Sequence, residues 1–141
     1  PPYQSDFIIL DAPCSATGTF RRHPDIFLHK KAPDLMRLQQ TQIALLERSL
    51  NWVVNDGALF YVTCSLQPEE GEEVIETILA TGQARLLPFT ETELGIFSAA
   101  SHPKGWARIL PSCLDHISSD SANAGTGCDG FFVARLQPVR S

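Results

Sequence analysis

Asp6-Phe7-Ile8-Ile9-Leu10-Asp11-Ala12-Pro13-Cys14 and, further on, Ala58-Leu59-Phe60-Tyr61-Val62-Thr63-Cys64 share one pattern. Each is a short apolar run that leads into a cysteine. Runs of this length with few polar residues read as strands buried on both faces, as in a parallel sheet. Pro13 has no N–H to give to a ladder and helps to stop the first strand.

Between them, residues 33–55 read as a helix. Pro33 and Asp34 suit its first turn. Leu35, Leu38, Leu45, Leu46, Leu50, Val53 and Val54 approximate one apolar face, and Asp56-Gly57 is expected to close it with a left-handed cap. A second helix starts near Pro68-Glu69-Glu70, turns Val74, Ile75, Ile78 and Leu79 inward, and ends at Gly82. Residues 84–89 read as a third strand and 90–128 as mostly irregular. Asp129-Gly130 marks a turn before a last strand at 131–136. Strands alternating with helices predict an α/β sheet with right-handed crossovers. The final pair, joined without a helix, is expected to be antiparallel.

If the two cysteine-ended strands are neighbours, they lie about 4.8 Å apart. Cys14, Cys64 and Asp11 then meet on the carboxyl edge, where open α/β sheets bind ligands. Cys64 also stands before the start of a helix, whose dipole favours a thiolate. Two other readings stand beside a nucleophile: buried structural cysteines, or a Cys14–Cys64 disulfide. Asp11 is either a site carboxylate or a loop-turn residue.

The composition is that of one soluble domain: 141 residues, 43% hydrophobic and 19% charged. No apolar run reaches the roughly 20 residues of a membrane span, and no signal peptide opens the chain, so a cytoplasmic protein away from membranes is expected. It has no initiator Met, and its first strand begins almost at once; the expectation is a piece of something longer. The cysteines at 14, 64, 113 and 128 form no C-x-x-C pair, and no metal site is expected.

A net charge of −5 weighs against nucleic acid, but its distribution weighs the other way. Five of the 11 basic residues, Arg21, Arg22, Lys30, Lys31 and Arg37, lie in one stretch. Arg21, Arg22, His23, Lys30 and Lys31 read as phosphate contacts for RNA, with a solvated charged face as the alternative. The Glu-rich start of the second helix reads as dipole matching, Trp52 as packing, and Trp106 as a loop residue able to stack on a base.

Asp11-Ala12-Pro13-Cys14-Ser15-Ala16-Thr17-Gly18 with Arg21-Arg22-His23-Pro24-Asp25-Ile26, and Tyr61-Val62-Thr63-Cys64-Ser65 with Pro68-Glu69-Glu70, resemble two motifs of the Sun (Fmu/RsmB) family of ribosomal RNA cytosine methyltransferases. Arg108-Ile109-Leu110-Pro111 and residues 129–136 resemble its closing motifs. The resemblance covers nearly the whole chain, in order. It implies the C-terminal half of a Rossmann-like class I methyltransferase fold, with residues 1–141 as a partial catalytic domain. Nothing precedes strand 6–10 to supply the family's glycine-rich S-adenosylmethionine loop or its N-terminal RNA-binding region. An exposed edge on strand 6–10, open to self-association, is therefore expected.

The resemblance also implies roles. Cys64 adds to carbon-6 of cytosine and makes carbon-5 able to take a methyl group from S-adenosylmethionine. Cys14 assists proton removal and product release. Asp11 contacts the base or the cofactor, with Pro13 on the cofactor side. The RNA implied is small-subunit ribosomal RNA. A non-catalytic RNA-binding module that keeps the fold is the alternative. A thiol-dependent redox or hydrolytic enzyme is a third reading, but no His is well placed to act as a base for Cys64.

Overall fold

The structure is a computed structural model and describes residues 4–25, 32–114 and 127–140. Its strands are β1 (Ser5–Asp11), β2 (Val53–Thr63), β3 (Ala84–Leu86), β4 (Ala107–Ile109) and β5 (Phe131–Pro138). Its α-helices are α1 (Ala32–Leu50), α2 (Glu72–Ala80) and α3 (Glu91–Leu94). The sheet order is β1-β2-β5-β3, with β4 paired to β5 as well. β1 and β2 run parallel, with Ile8 opposite Leu59 and Asp11 opposite Val62. β5 is antiparallel to β2, β3 and β4. Four strands thus share one direction and β5 alone opposes them, which is the expected α/β arrangement with a final antiparallel strand.

The core follows from the two-residue strand period. Leu59, Tyr61 and Thr63 of β2 are fully buried, and their partners Leu136, Ala134 and Phe132 on β5 are buried beside them. Onto that face α1 packs Leu46 and Leu50, and α2 packs Val74, Ile75 and Ile78. β1 contributes Ile8 and Leu10 to the same cluster. Its other face is bare: Phe7 and Ile9 are 72% and 74% exposed. Among the described residues β1 therefore lies at the sheet edge and is buried on one face, not on both as its apolar run predicts.

The helix expected over 33–55 ends at Leu50, and Val53 to Gly57 belong to β2. Val53 and Val54 fit either period, and their β-branching favours the strand. Gly57 is not a left-handed cap, because its φ is not positive. It is small because a Cβ there would meet the Asp6 carbonyl oxygen at 2.5 Å. Gly82, with φ +73°, does close α2. The third strand stops at Leu86.

The described part of the stretch expected to be irregular, residues 90–114, holds more order than its sequence suggests. Thr90 caps α3 in a reciprocal box: its hydroxyl accepts from Glu93 N at 3.2 Å, and the Glu93 carboxylate accepts from Thr90 N at 2.9 Å. A 3-10 segment, Gly95–Ala100, and β4 follow. Trp106 is only 2% exposed, stacked on His102 at 4.9 Å and packed against Phe132, so it is not a base-stacking surface. Trp52 lies in the turn after α1, 39% exposed, with Arg48 over its ring. Among the described residues, no helix is long and apolar enough to cross a membrane.

Candidate active site

β1 and β2 end side by side, and Ala12 N extends their ladder by one bond to Val62 O at 3.0 Å. The two loops that leave this edge turn toward each other. They bring the Cys14 and Cys64 sulfurs to 3.4 Å, with both thiols free and both half-buried. Burial pushes the Cys14 thiol up to about 12, and its contact with Cys64 adds to that, against an opposing N–H from Ala16. Cys14 therefore keeps its proton near neutral pH. Either sulfur can be the donor in the contact, and Cys14 has a proton to give.

What holds the loops together is a residue that sequence reasoning did not single out. The Glu70 side chain is fully buried, and among the described residues no ion pair reaches it. Instead it accepts from Ser15 N at 2.8 Å, Ser15 Oγ at 2.5 Å, Ser65 Oγ at 2.5 Å and Gln42 Nε2 at 3.2 Å. Gln42, fully buried on α1, also donates to the Pro13 carbonyl at 2.8 Å. The Tyr61 hydroxyl donates to the Glu70 carbonyl at 2.8 Å, and burial with the nearby carboxylate pushes that phenol up. A buried carboxylate is tolerable only with such a complement of donors.

Further bonds tighten the same region. Gly18 N donates to the Cys64 carbonyl at 2.9 Å, and Leu66 N donates to the Thr17 hydroxyl at 2.9 Å. Arg108, reaching in from β4, donates to the Ser65 carbonyl at 2.9 Å and pairs with Glu72. Ala16 sits at φ 59°, a left-handed conformation that costs a non-glycine residue about 1 kcal/mol.

Asp11 is exposed at the end of β1, and among the described residues no hydrogen bond to its carboxylate is formed. The Pro13 ring is exposed, with its carbonyl taken by Gln42. Arg21, Arg22 and His23 are exposed beyond the Cys14 loop. Arg22 is paired with Asp129, its Nε donating to Oδ1 at 3.3 Å, which ties this turn to the start of β5. Lys30 and Lys31 lie outside the described residues.

The helix expected to start near Pro68-Glu69-Glu70 begins a few residues later. A 3-10 turn, Pro68–Glu70, comes first, and α2 begins only at Glu72. The dipole argument for Cys64 loses its footing, since the effect fades within a turn. Glu72 and Glu73 do match the α2 dipole, whereas Glu70 does not serve it. Residues 125–130, Gly-Thr-Gly-Cys-Asp-Gly, have the spacing of a phosphate-binding loop. Gly130 leads into a strand rather than a helix, so that function does not follow. Among the described residues, no group of His, Cys, Asp and Glu could hold a metal ion.

Comparison with known proteins places this geometry in a family. The family model of the 16S rRNA methyltransferase RsmB/F matches residues 3–137. A ribosomal RNA small subunit methyltransferase B from Salmonella dublin is 46% identical over 133 residues, 94% of this chain and 26% of its own length. Its namesake from Shewanella oneidensis is 38% identical over 134 residues, 94% of this chain and 27% of its own. The chain thus spans about a quarter of the length of these curated relatives. The crystal structure of a methyltransferase homologue from Pyrococcus horikoshii superposes with a TM-score of 0.67 at 30% identity, covering 98% of this chain and 40% of that one. By its sequence and its fold, the chain belongs to the RsmB/F family of 16S rRNA methyltransferases.

Proposed function

We propose that this chain carries the thiol chemistry of an RNA methyltransferase that modifies carbon-5 of cytosine in small-subunit ribosomal RNA. The observation that supports it is the 3.4 Å contact between Cys14 and Cys64 on the ligand edge of the sheet, where burial keeps the Cys14 thiol protonated. Carbon-5 of cytosine is a poor nucleophile. When the Cys64 thiolate adds to carbon-6, electron density moves to carbon-5, which becomes enamine-like. After methylation the carbon-5 proton leaves and the bond to Cys64 breaks, restoring the ring double bond. Cys14 is suited to both events: it hands its proton to the departing Cys64 sulfur and takes the carbon-5 proton in return. Both thiols end protonated, so the step balances.

S-adenosylmethionine supplies the methyl group when bound. The residues present fit one end of it: Asp11 offers an exposed carboxylate with no hydrogen bond among the described residues, able to accept from an amino or hydroxyl group. Pro13 borders that position. The same carboxylate could equally hold the cytosine ring. Arg21 and Arg22 supply positive charge for phosphates beyond the Cys14 loop, with Arg22 shared with Asp129 and His23 exposed beside them; Lys30 and Lys31 join them in this reading by sequence alone.

RNA carrying tritium at carbon-5 of cytosine tests this reading in the full-length protein. Release of tritium to water with S-adenosylmethionine, lost in Cys64→Ala, supports it. RNA binding without tritium release would move the chain to the alternative, a non-catalytic RNA-binding module.

A further inference from the structure

We propose that Glu70 is a positioning residue for the thiol pair, setting the spacing of the Cys14 and Cys64 sulfurs by drawing the residue after each cysteine onto one buried carboxylate. The proposal rests on the thiol reading above and deepens it. Ser15 follows Cys14 and Ser65 follows Cys64. Their hydroxyls both donate to Oε2 of Glu70 at 2.5 Å and stand 3.2 Å from each other. Ser15 N and Gln42 hold Oε1, so the carboxylate itself has a fixed orientation. Gln42 then fixes Pro13, on the other side of Cys14. Cys14 is thus gripped from both neighbours and Cys64 from one.

The chemistry of the residue argues for position rather than packing. A fully buried carboxylate with no ion pair among the described residues is a costly way to fill space, and an apolar side chain would fill it better. What a carboxylate offers instead is several acceptor sites at set angles. That is what two loops need if their sulfurs are to sit at 3.4 Å, closer than the roughly 4.8 Å between the strands that carry them. Glu70 is positioned for this by its 3-10 turn and by Tyr61, whose hydroxyl holds the Glu70 carbonyl.

Glu70→Gln keeps the shape but turns an amide N–H₂ toward hydroxyl protons. The test uses the full-length protein, Glu70→Gln, Ser15→Ala, Ser65→Ala, and the two doubles that combine Glu70→Gln with each serine change. Sulfur spacing is read without any methyl transfer by dibromobimane, which becomes fluorescent when both its arms have alkylated thiols. Cys14→Ala and Cys64→Ala supply the background from the other cysteines. In parallel, kcat and RNA KM are measured. The expected result for Glu70→Gln is on the order of tenfold lower kcat, with bimane bridging reduced severalfold and RNA KM within about twofold of the parent. Each serine variant has a smaller effect and adds little to Glu70→Gln, because both act through it. Unchanged bridging in Glu70→Gln, or serine effects that add in full, would overturn the proposal. If Glu70→Gln does not fold, the serine variants decide: reduced bridging in both supports it, and normal bridging in both overturns it. Normal bridging in the parent with no methyl transfer by any version would sink the functional reading and still leave Glu70 judged by its bridging.

Discussion

Gly18 and Gly130 lie backbone to backbone: the Gly130 N–H donates to the Gly18 carbonyl at 2.8 Å, and a Cβ on Gly18 would fall 2.0 Å from the Gly130 oxygen. The same Cβ would lie 2.9 Å from the Cys64 carbonyl oxygen, to which Gly18 N donates. Three loops therefore meet at one residue with no side chain. Gly18→Ala is expected to destabilise the protein by about 2 kcal/mol or more, as overpacking against backbone does. Because it also pushes on Cys64, it should slow thiol chemistry beyond what the stability loss explains. Urea unfolding together with the alkylation rate of Cys64 checks both; a stable Gly18→Ala protein with parental reactivity would contradict the close approach.

Arg108 ties the Cys64 loop to α2. Its side chain is only 17% exposed, and it serves Glu72, the Ser65 carbonyl and the face of Phe132. Arg108→Ala should cost about 2 kcal/mol in denaturant unfolding, since it strands a half-buried carboxylate and a carbonyl. Arg108→Lys should recover less than half of that, because an ammonium cannot reproduce the forked contacts.

Cys14 makes a pH prediction. Its folded value lies above its unfolded one, so its contribution to stability is present below about pH 9 and fades as pH rises toward 12. The largest cause is burial, which remains when Cys64 is removed. In Cys64→Ala, alkylation of Cys14 should therefore stay slow through pH 9 and rise only above it. Fast alkylation at pH 8 would show that burial is not what holds the proton.

Among the described residues β1 pairs only with β2, and Phe7 and Ile9 stand out on its bare face. The 141-residue chain on its own is expected to self-associate there. Sedimentation should show a concentration-dependent increase in mass that Phe7→Lys and Ile9→Lys reduce. A monomer at all concentrations would contradict it.

The central feature of the site was legible because two apolar runs each led into a cysteine with one helix between them. That is enough to place Cys14, Cys64 and Asp11 at one sheet edge. Glu70 was not legible. It stands among Glu69, Glu72, Glu73 and Glu76, and nothing local distinguishes the one carboxylate that a 3-10 turn rotates inward. The serines beside the cysteines had no meaning without it. The helix boundary failed at Val53 and Val54, which satisfy both the helical and the strand period. The Thr90–Glu93 box has the sequence signature of a helix start, whereas a three-residue strand such as β4 is too short to show any period. Burial of Trp106 depended on β5 and His102, contacts that no local pattern announces.

The chemistry at this sheet edge turns on which sulfur attacks. The most direct measurement is covalent trapping of the full-length protein on RNA bearing a mechanism-based cytosine analogue, with S-adenosylmethionine supplied. Cys64→Ala should form no adduct, while Cys14→Ala should form it and release it poorly. An adduct that persists in Cys64→Ala would contradict the assignment of the nucleophile.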